Sequence, residues 1–384
     1  MARRRSICHG EAVTKTTRPI LLTGATGFVG AVVLDRLLRA GHEVVCLIRA
    51  ADDAEAGDRL RTVLARSGAP AGARARAVAG DLTTPGLGLD GARRAALAGE
   101  VGTIVHAAAS VAFDLSLAES RAINVEGTRR VLDLAAEVSG IERVVHVSTA
   151  YVAGARRGTV AEDDTGHGPF RNAYERSKRE AEDLVRASGL PATVLRPSIV
   201  AGERATGWTA SFNVLYVPVR AFAAGALPVL PGRRRSPVDV VSVDYVADAI
   251  AALAVHPDAA GQTLHLVAGE RDSTVREVVQ LASTRFGRRK PVVLEPHVYR
   301  TAVQPLALRR SSGARRRQLR RSEAYFPYFA MRQRFDDRRA RALLEPLGIA
   351  PSPLASYFDA LMDFAQATGW GRRPLTRPEA ALAR

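Results

Sequence analysis

Apolar runs of strand length alternate with amphipathic stretches over the first two-thirds of the chain. The runs lie at 20–22, 42–48, 76–82, 103–109, 143–149 and 192–196. Between the first two, Val32, Val33, Leu37 and Leu38 share one helical face, with Arg36 and Arg39 opposite. Residues 53–74 read as an Ala/Arg-rich helix and a loop. Residues 116–139 carry a longer helical pattern through Ile123, Val131, Leu132, Leu134 and Ala135. Strands that alternate with helices in this way predict an α/β fold, a parallel sheet wound on both faces. Ligands of such sheets bind beyond the carboxyl ends of the strands.

The alternation breaks at 202–237, where Gly, Pro, Trp and Arg surround an apolar stretch from Phe212 to Phe222. It returns at 238–243, with Asp244 as the expected N-cap of a helix running to Ala254, and a late strand follows at 263–267. Thr274 and Glu277 have the spacing of a capping box. Residues 300–334 are dense in Arg (309, 310, 315 to 317, 320, 321), interrupted by Tyr325, Phe326, Pro327, Tyr328 and Phe329; two helices are expected near 336–346 and 352–367. The pattern divides the chain into a disordered basic tail (1–17), a doubly wound α/β core (18–270) with 202–237 as an inserted substrate-lobe segment, and a smaller, mostly helical substrate lobe (271–384).

Composition narrows the setting. No apolar run approaches the roughly 20 residues that span a bilayer, and the tail lacks the apolar centre of a signal peptide. Cys8 and Cys46 are the only cysteines, so no disulfide framework is expected and a reducing, cytoplasmic setting fits. A formal charge of +16 reads either as an Arg-rich soluble surface or as a match for an acidic partner: coenzyme A, an acidic carrier protein or a membrane surface contacted peripherally. No nucleic-acid-binding signature accompanies the charge, and the histidines lack metal-ligand spacing, so neither nucleic acid nor a metal is expected.

The chemistry concentrates at the predicted strand ends. Gly24, Gly27 and Gly30 follow the first strand and open the first helix. That order suits a dinucleotide pyrophosphate: a sharp turn, close backbone approach, and helix N–H groups facing the anion. The second strand ends in Arg49 with no carboxylate before Asp52, which favours the 2′-phosphate of NADPH over the ribose hydroxyl of NADH; Arg59 is a second phosphate candidate. Asp81 either accepts from an adenine amino group or caps the next turn. His106 reads as a packed strand-end side chain. Asn124, followed by Gly127, breaks helical preference, and such breaks tend to mark functional positions. Tyr174 and Lys178 lie four apart, on one helical face, downstream of Ser148 and Thr149. A cation beside a phenol of ordinary pKa about 10 favours its ionised form.

Several stretches carry a family resemblance: TGATGFVG (23–30), CLIRA (46–50), GDLTTPGLGLD (80–90), HAAASVAFD (106–114), NVEGT (124–128), HVSTAYVAG (146–154), YERSK (174–178) and RPSIVAGERATG (196–207). The chain resembles the extended short-chain dehydrogenase/reductases, and within them the thioester reductase and fatty acyl-CoA reductase group, over about residues 19–270. The resemblance implies a Rossmann fold, an NADPH cofactor and a catalytic set of Thr149, Tyr174 and Lys178 supported by Asn124. It implies a cofactor surface of Thr23, Gly24, Thr26, Gly27, Phe28, Val29, Gly30, Arg49, Arg59, Asp81, Leu82, Ala107, Lys178, Pro197, Ser198 and Ile199. The expected reaction is hydride transfer to an acyl thioester, giving aldehyde or alcohol. No activation or carrier domain is recognisable, so the thioester is expected from a separate molecule. The same trio would serve a dehydrogenase or epimerase of sterol-like or nucleotide-sugar substrates, and a nucleotide sensor without turnover would share the fold. The Arg-rich segment after 300 matches no substrate motif.

Overall fold

The strands of the central sheet are β1 (Ile20–Thr23), β2 (Val44–Ile48), β3 (Ala75–Ala79), β4 (Thr103–His106), β5 (Arg143–Val147), β6 (Ala192–Pro197) and β7 (Thr263–Leu266). All pair in parallel, in the order β7-β6-β5-β4-β1-β2-β3. β1 and β2 are buried along their whole length, which is why they read as continuous apolar runs. The computed structural model describes residues 16, 18–70, 72–212, 214–309, 312–313, 316 and 323–382. The expected tail at 1–17 lies outside the described residues except for Thr16, as do Arg310, Arg315, Arg317, Arg320 and Arg321 of the basic segment.

Alternate residues of each strand face two helical layers. On one face Ile20 and Leu22 pack with Val32, Val33 and Leu37 of α1 (Phe28–Arg39) and with Val246 and Ile250 of a helix at Val243–Leu253. On the other, Leu21 and Ile104 meet Leu97, Val131 and Val185, carried by helices at Gly91–Glu100, Glu126–Glu137 and Ala173–Ala187. The sheet is therefore doubly wound, as the alternation predicted. Its strand order reverses between β1 and β4, which opens a crevice at their carboxyl ends.

Two expectations are corrected. The pattern at 116–139 is two helices, Leu117–Asn124 and Glu126–Glu137, and the break follows Asn124. The Asn124 side chain both accepts from Ser110 N (2.8 Å) and donates to Ser110 O (3.1 Å), which anchors that turn to the loop after β4. Asp244 is not the N-cap either: Ser242 holds that position, and the Asp244 carboxylate instead takes Arg204 N at 3.1 Å. The capping box is present, with Glu277 N donating to Thr274 Oγ1 (3.3 Å) and Thr274 N to Glu277 Oε2 (2.6 Å).

A second apolar core joins the inserted segment to the C-terminal third. Leu215, Tyr216, Phe222 and Leu230 pack there with Val275, Phe329 and Leu361. Short strand pairs reinforce it, among them Val229–Pro231 with Val292–Leu294 and Arg157–Val160 with Arg332–Phe335.

Candidate functional site

A cavity of about 320 Å³ opens at the carboxyl ends of β1, β4, β5 and β6. Gly24, Gly27, Phe28, Val29, Gly30 and Ala107 form one wall; Thr149, Tyr174, Lys178, Pro197, Ser198 and Ile199 form the other. The glycine turn and the Thr149–Ile199 wall come from segments more than a hundred residues apart, and the sheet order brings them together.

The glycine turn is built for close approach. Gly24 has φ +80°, and a Cβ there would sit 2.6 Å from Ala108 N; at Gly30 it would sit 2.1 Å from Gly24 O. Gly27 caps α1 with no side-chain hydrogen bond, and no acidic residue occupies the helix's first turn. Free N–H groups at the positive end of a helix suit a phosphate, so these residues fit the pyrophosphate of a nicotinamide dinucleotide. Thr26 is exposed in the turn. Thr23 is buried and faces inward: Ala108 N donates to Thr23 Oγ1 (3.3 Å), which lies 2.7 Å from His106 Nδ1. His106 Nε2 lies 3.1 Å from Thr128 Oγ1, and Thr128 donates to Asn124 O at 2.6 Å. This relay fixes His106 as a packed strand-end group, and burial pulls its pKa down to about 3.

Tyr174 and Lys178 ride on the Ala173–Ala187 helix, whose start is fixed by Asn172 Oδ1 accepting from Glu175 N (2.9 Å). Tyr174 and Thr149 line the same cavity, where Thr149 Oγ1 donates to Pro197 O at 3.4 Å. Burial pushes the Tyr174 phenol up to about 12, with the neighbouring Thr149 hydroxyl opposing the rise and Glu175 adding to it. Lys178 follows one helical turn later on the same helix. Its amine donates to Val147 O (2.7 Å) and lies 3.5 Å from His146 Nε2, while burial draws its own pKa down to about 8, opposed by the Glu182 charge. Asn124 reaches the same helix through Ser177 Oγ (2.9 Å), so it stands behind the cavity as a support.

Besides Thr23 and Thr26, four expected cofactor residues do not line the cavity. Arg49 is exposed at the end of β2, and its charge helps hold the Asp81 carboxylate low. Arg59 is paired with Glu55 at 2.8 Å. Asp81 Oδ1 accepts from both Thr83 N and Thr83 Oγ1 (2.8 Å each), which is the turn-capping reading. Leu82 covers Gly127, where a Cβ would lie 3.2 Å from its own.

The structure also adds residues that spacing did not mark. Phe113 packs against Tyr174 (centroids 5.8 Å apart), Tyr325 (5.6 Å) and Tyr328 (5.4 Å, stacked). Tyr325 and Tyr328 come from the aromatic interruption of the basic segment and line the cavity beside Tyr174. Tyr328 donates to buried Glu175 (2.8 Å) and accepts from Asn172 Nδ2 (2.9 Å), which pins the turn to the start of the Ala173–Ala187 helix. The only signal in the sequence was an aromatic run inside an arginine-dense stretch.

Residues 22–250 match the NAD-binding family described as male sterility protein. The fatty acyl-CoA reductase wat of Drosophila melanogaster is 29% identical over 282 residues, 61% of this chain and 53% of that protein. Isonitrile lipopeptide synthase of Streptomyces coeruleorubidus is 35% identical over 312 residues, 77% of this chain and 20% of that protein. The chain thus spans about half or less of these curated relatives. Among solved structures, the terminal R domain from the myxalamid PKS-NRPS biosynthetic pathway is 30% identical with a TM-score of 0.81, covering 95% of both chains.

Proposed function

The chain belongs to the male sterility protein family of NAD-binding domains, and on that premise we propose that it reduces an acyl thioester with NADPH. One observation carries the reading: a glycine cradle and a Thr149–Tyr174–Lys178 group face each other across a single cavity. Relatives described as a fatty acyl-CoA reductase and a lipopeptide synthase support a thioester as the substrate.

Gly24, Gly27 and Gly30 would hold the pyrophosphate, and Pro197 to Ile199 would flank the nicotinamide. When bound, NADPH supplies the hydride. Thr149 and Tyr174 hydrogen-bond the carbonyl oxygen as negative charge develops on it. Burial keeps the Tyr174 proton in place at neutral pH, so the phenol serves as a general acid to that oxygen. The Lys178 ammonium, held on Val147 O, supplies positive charge beneath the phenol and a donor for the nicotinamide ribose. Asn124 keeps the helix and the loop after β4 in register. Loss of thiol from the resulting hemithioacetal gives an aldehyde, and a second round gives the alcohol.

NADPH is favoured over NADH by Arg49 at the β2 tip, where no carboxylate comes between it and Asp52 in the sequence. Arg59, paired with Glu55 at the surface, is the second phosphate candidate.

The test is NADPH consumption with a panel of acyl thioesters, products identified by mass spectrometry, beside Tyr174→Phe. The expected result is aldehyde or alcohol, with turnover down about a thousandfold in the variant and cofactor binding retained. Turnover of free ketones or alcohols with silence on thioesters would reassign the site to an alcohol/ketone or nucleotide-sugar enzyme. Tight NADPH binding with no turnover on either panel would make it a sensor.

A further inference from the structure

A second cavity, of about 440 Å³, lies behind the turn at Glu323–Ala330. Arg156, Arg157, Arg171, Arg233, Arg300 and Arg332 line it, and Glu323 is the one carboxylate among its described lining residues. Three of the arginines are neutralised: Arg156 by Asp164, Arg171 by Glu175 (3.1 Å) and Arg233 by Glu295 (2.8 Å). Glu323 accepts a hydrogen bond from Gln304. Among the described residues, Arg157, Arg300 and Arg332 have no carboxylate within ion-pair distance.

Arg157 and Arg332 are moreover register partners in a parallel strand pair. Like charges set directly opposite each other destabilise a sheet, and among the described residues no carboxylate pairs with either of these two exposed arginines. A local rule broken without internal compensation points to a ligand. Guanidinium forks lining one space suit the oxygens of a phosphate.

The turn separating the cavities is a shared wall. Tyr325 and Tyr328 face the Tyr174 cavity, whereas Phe326 and Pro327 face the basic one, and Arg171 lies over the Tyr328 ring at 5.6 Å. A thioester carried on a pantetheine arm has its carbonyl at one end and phosphate at the other.

We propose that the arginine cavity binds the phosphate end of such a substrate, whether the arm belongs to free coenzyme A or to a carrier protein. The assignment rests on the thioester reading of the neighbouring site. Remote binding of this kind positions the reacting carbonyl without touching it.

Three thioesters of one acyl group test it in the full chain: acyl-pantetheine, acyl-4′-phosphopantetheine and acyl-coenzyme A. The phosphorylated forms are expected to show KM values about tenfold or more below that of acyl-pantetheine. Arg157→Gln combined with Arg300→Gln closes that gap and leaves kcat on acyl-pantetheine unchanged. A preference shared by both phosphorylated forms assigns the cavity to the arm phosphate. One confined to acyl-coenzyme A assigns it to the nucleotide phosphates of the free coenzyme. Equal KM values for all three, or a gap that survives in the variant, overturn the proposal.

Silence on every thioester would defeat the reductase reading, so calorimetry reads the cavity separately, with NADP saturating the glycine loop. Coenzyme A binding tighter than that of pantetheine, and weakened in the variant, keeps the assignment. Binding no tighter than that of pantetheine, or indifferent to the two substitutions, ends it.

Discussion

Lys178 is the group whose protonation state the proposed site depends on. Its amine is buried and donates to Val147 O at 2.7 Å, and desolvation lowers its pKa to about 8 despite the opposing Glu182 charge. The working form is the ammonium, populated below that value. Thioester reduction should therefore lose kcat/KM as pH rises through about 8, while the Tyr174 phenol, raised to about 12, keeps its proton throughout. Lys178→Arg stays charged and should lack that limb in whatever activity it keeps. Initial rates between about pH 6 and pH 10 decide the point, and a flat profile to the alkaline end would remove Lys178 from the chemistry. Arg49 carries a second expectation. Arg49→Ala should raise KM for NADPH about tenfold and leave NADH unchanged, the loss of one charge-assisted phosphate contact. Equal effects on both cofactors would mean that Arg49 reads no phosphate.

Between strand and helix, the glycine turn has almost no tolerance. A Cβ at Gly30 would lie 2.1 Å from Gly24 O, backbone that can move only by pulling α1 away from β1, whereas one at Gly27 meets its nearest atom at 3.2 Å. Gly30→Ala is expected to cost about 1–3 kcal/mol and to abolish cofactor binding; Gly27→Ala should be milder on both counts. Denaturant melts and NADPH titrations of the two variants, if indistinguishable, would refute the close-packing argument. His106 ties β1, β4 and the Glu126–Glu137 helix together and remains neutral, with its pKa drawn from 6.5 to about 3 by burial first and by the Lys178 charge second. The unfolded chain takes up this proton near pH 6.5 and the native state does not, so the stability is complete above 6.5 and lost as pH falls toward about 3. Between about pH 7 and pH 5 this one group accounts for about 2 kcal/mol. His106→Asn should flatten the acid slope by that amount in urea melts at the two pH values, and parallel slopes would contradict it. Such elements also show what a sequence can carry. β1 and β2 were legible because both of their faces are buried, and the Tyr174/Lys178 pair because four residues make a helical turn. The break after Asn124 was not, since it depends on Ser110 across a loop, nor was Tyr328, whose partner Glu175 lies 153 positions away. At Arg59 the structure shows a local ion pair with Glu55, one helical turn earlier.

Across the whole molecule, the last described segment returns to the first helix. Asp35 of α1 is fully buried and takes Arg36 (2.8 Å), Arg39 (2.8 Å) and Arg377 (2.6 Å), and Arg377 also pairs with Glu203. Close by, Trp208 Nε1 donates to Leu375 O (3.1 Å), and its ring lies 6.0 Å from that of Phe28, which lines the cavity at the glycine turn. A strap near the C-terminal end thus backs the nucleotide wall without entering it. Asp35 would keep two cations if Arg377 were lost, but Glu203 has no other ion pair among the described residues. Arg377→Ala should therefore lower stability by about 3 kcal/mol, chiefly because buried Glu203 loses its ion-pair partner and keeps, among the described residues, only the Thr206 hydrogen bond and the more distant Arg36 charge. Arg377→Lys should recover only part of this, because an ammonium cannot fork between two carboxylates. With NADPH saturating, kcat should match that of the unmodified chain at a temperature where both are folded, since no reacting group has moved. Thermal melts of the three proteins, with and without NADPH, make the comparison. An Arg377→Ala protein that melts with the unmodified chain would show that the strap rests on the surface without holding it.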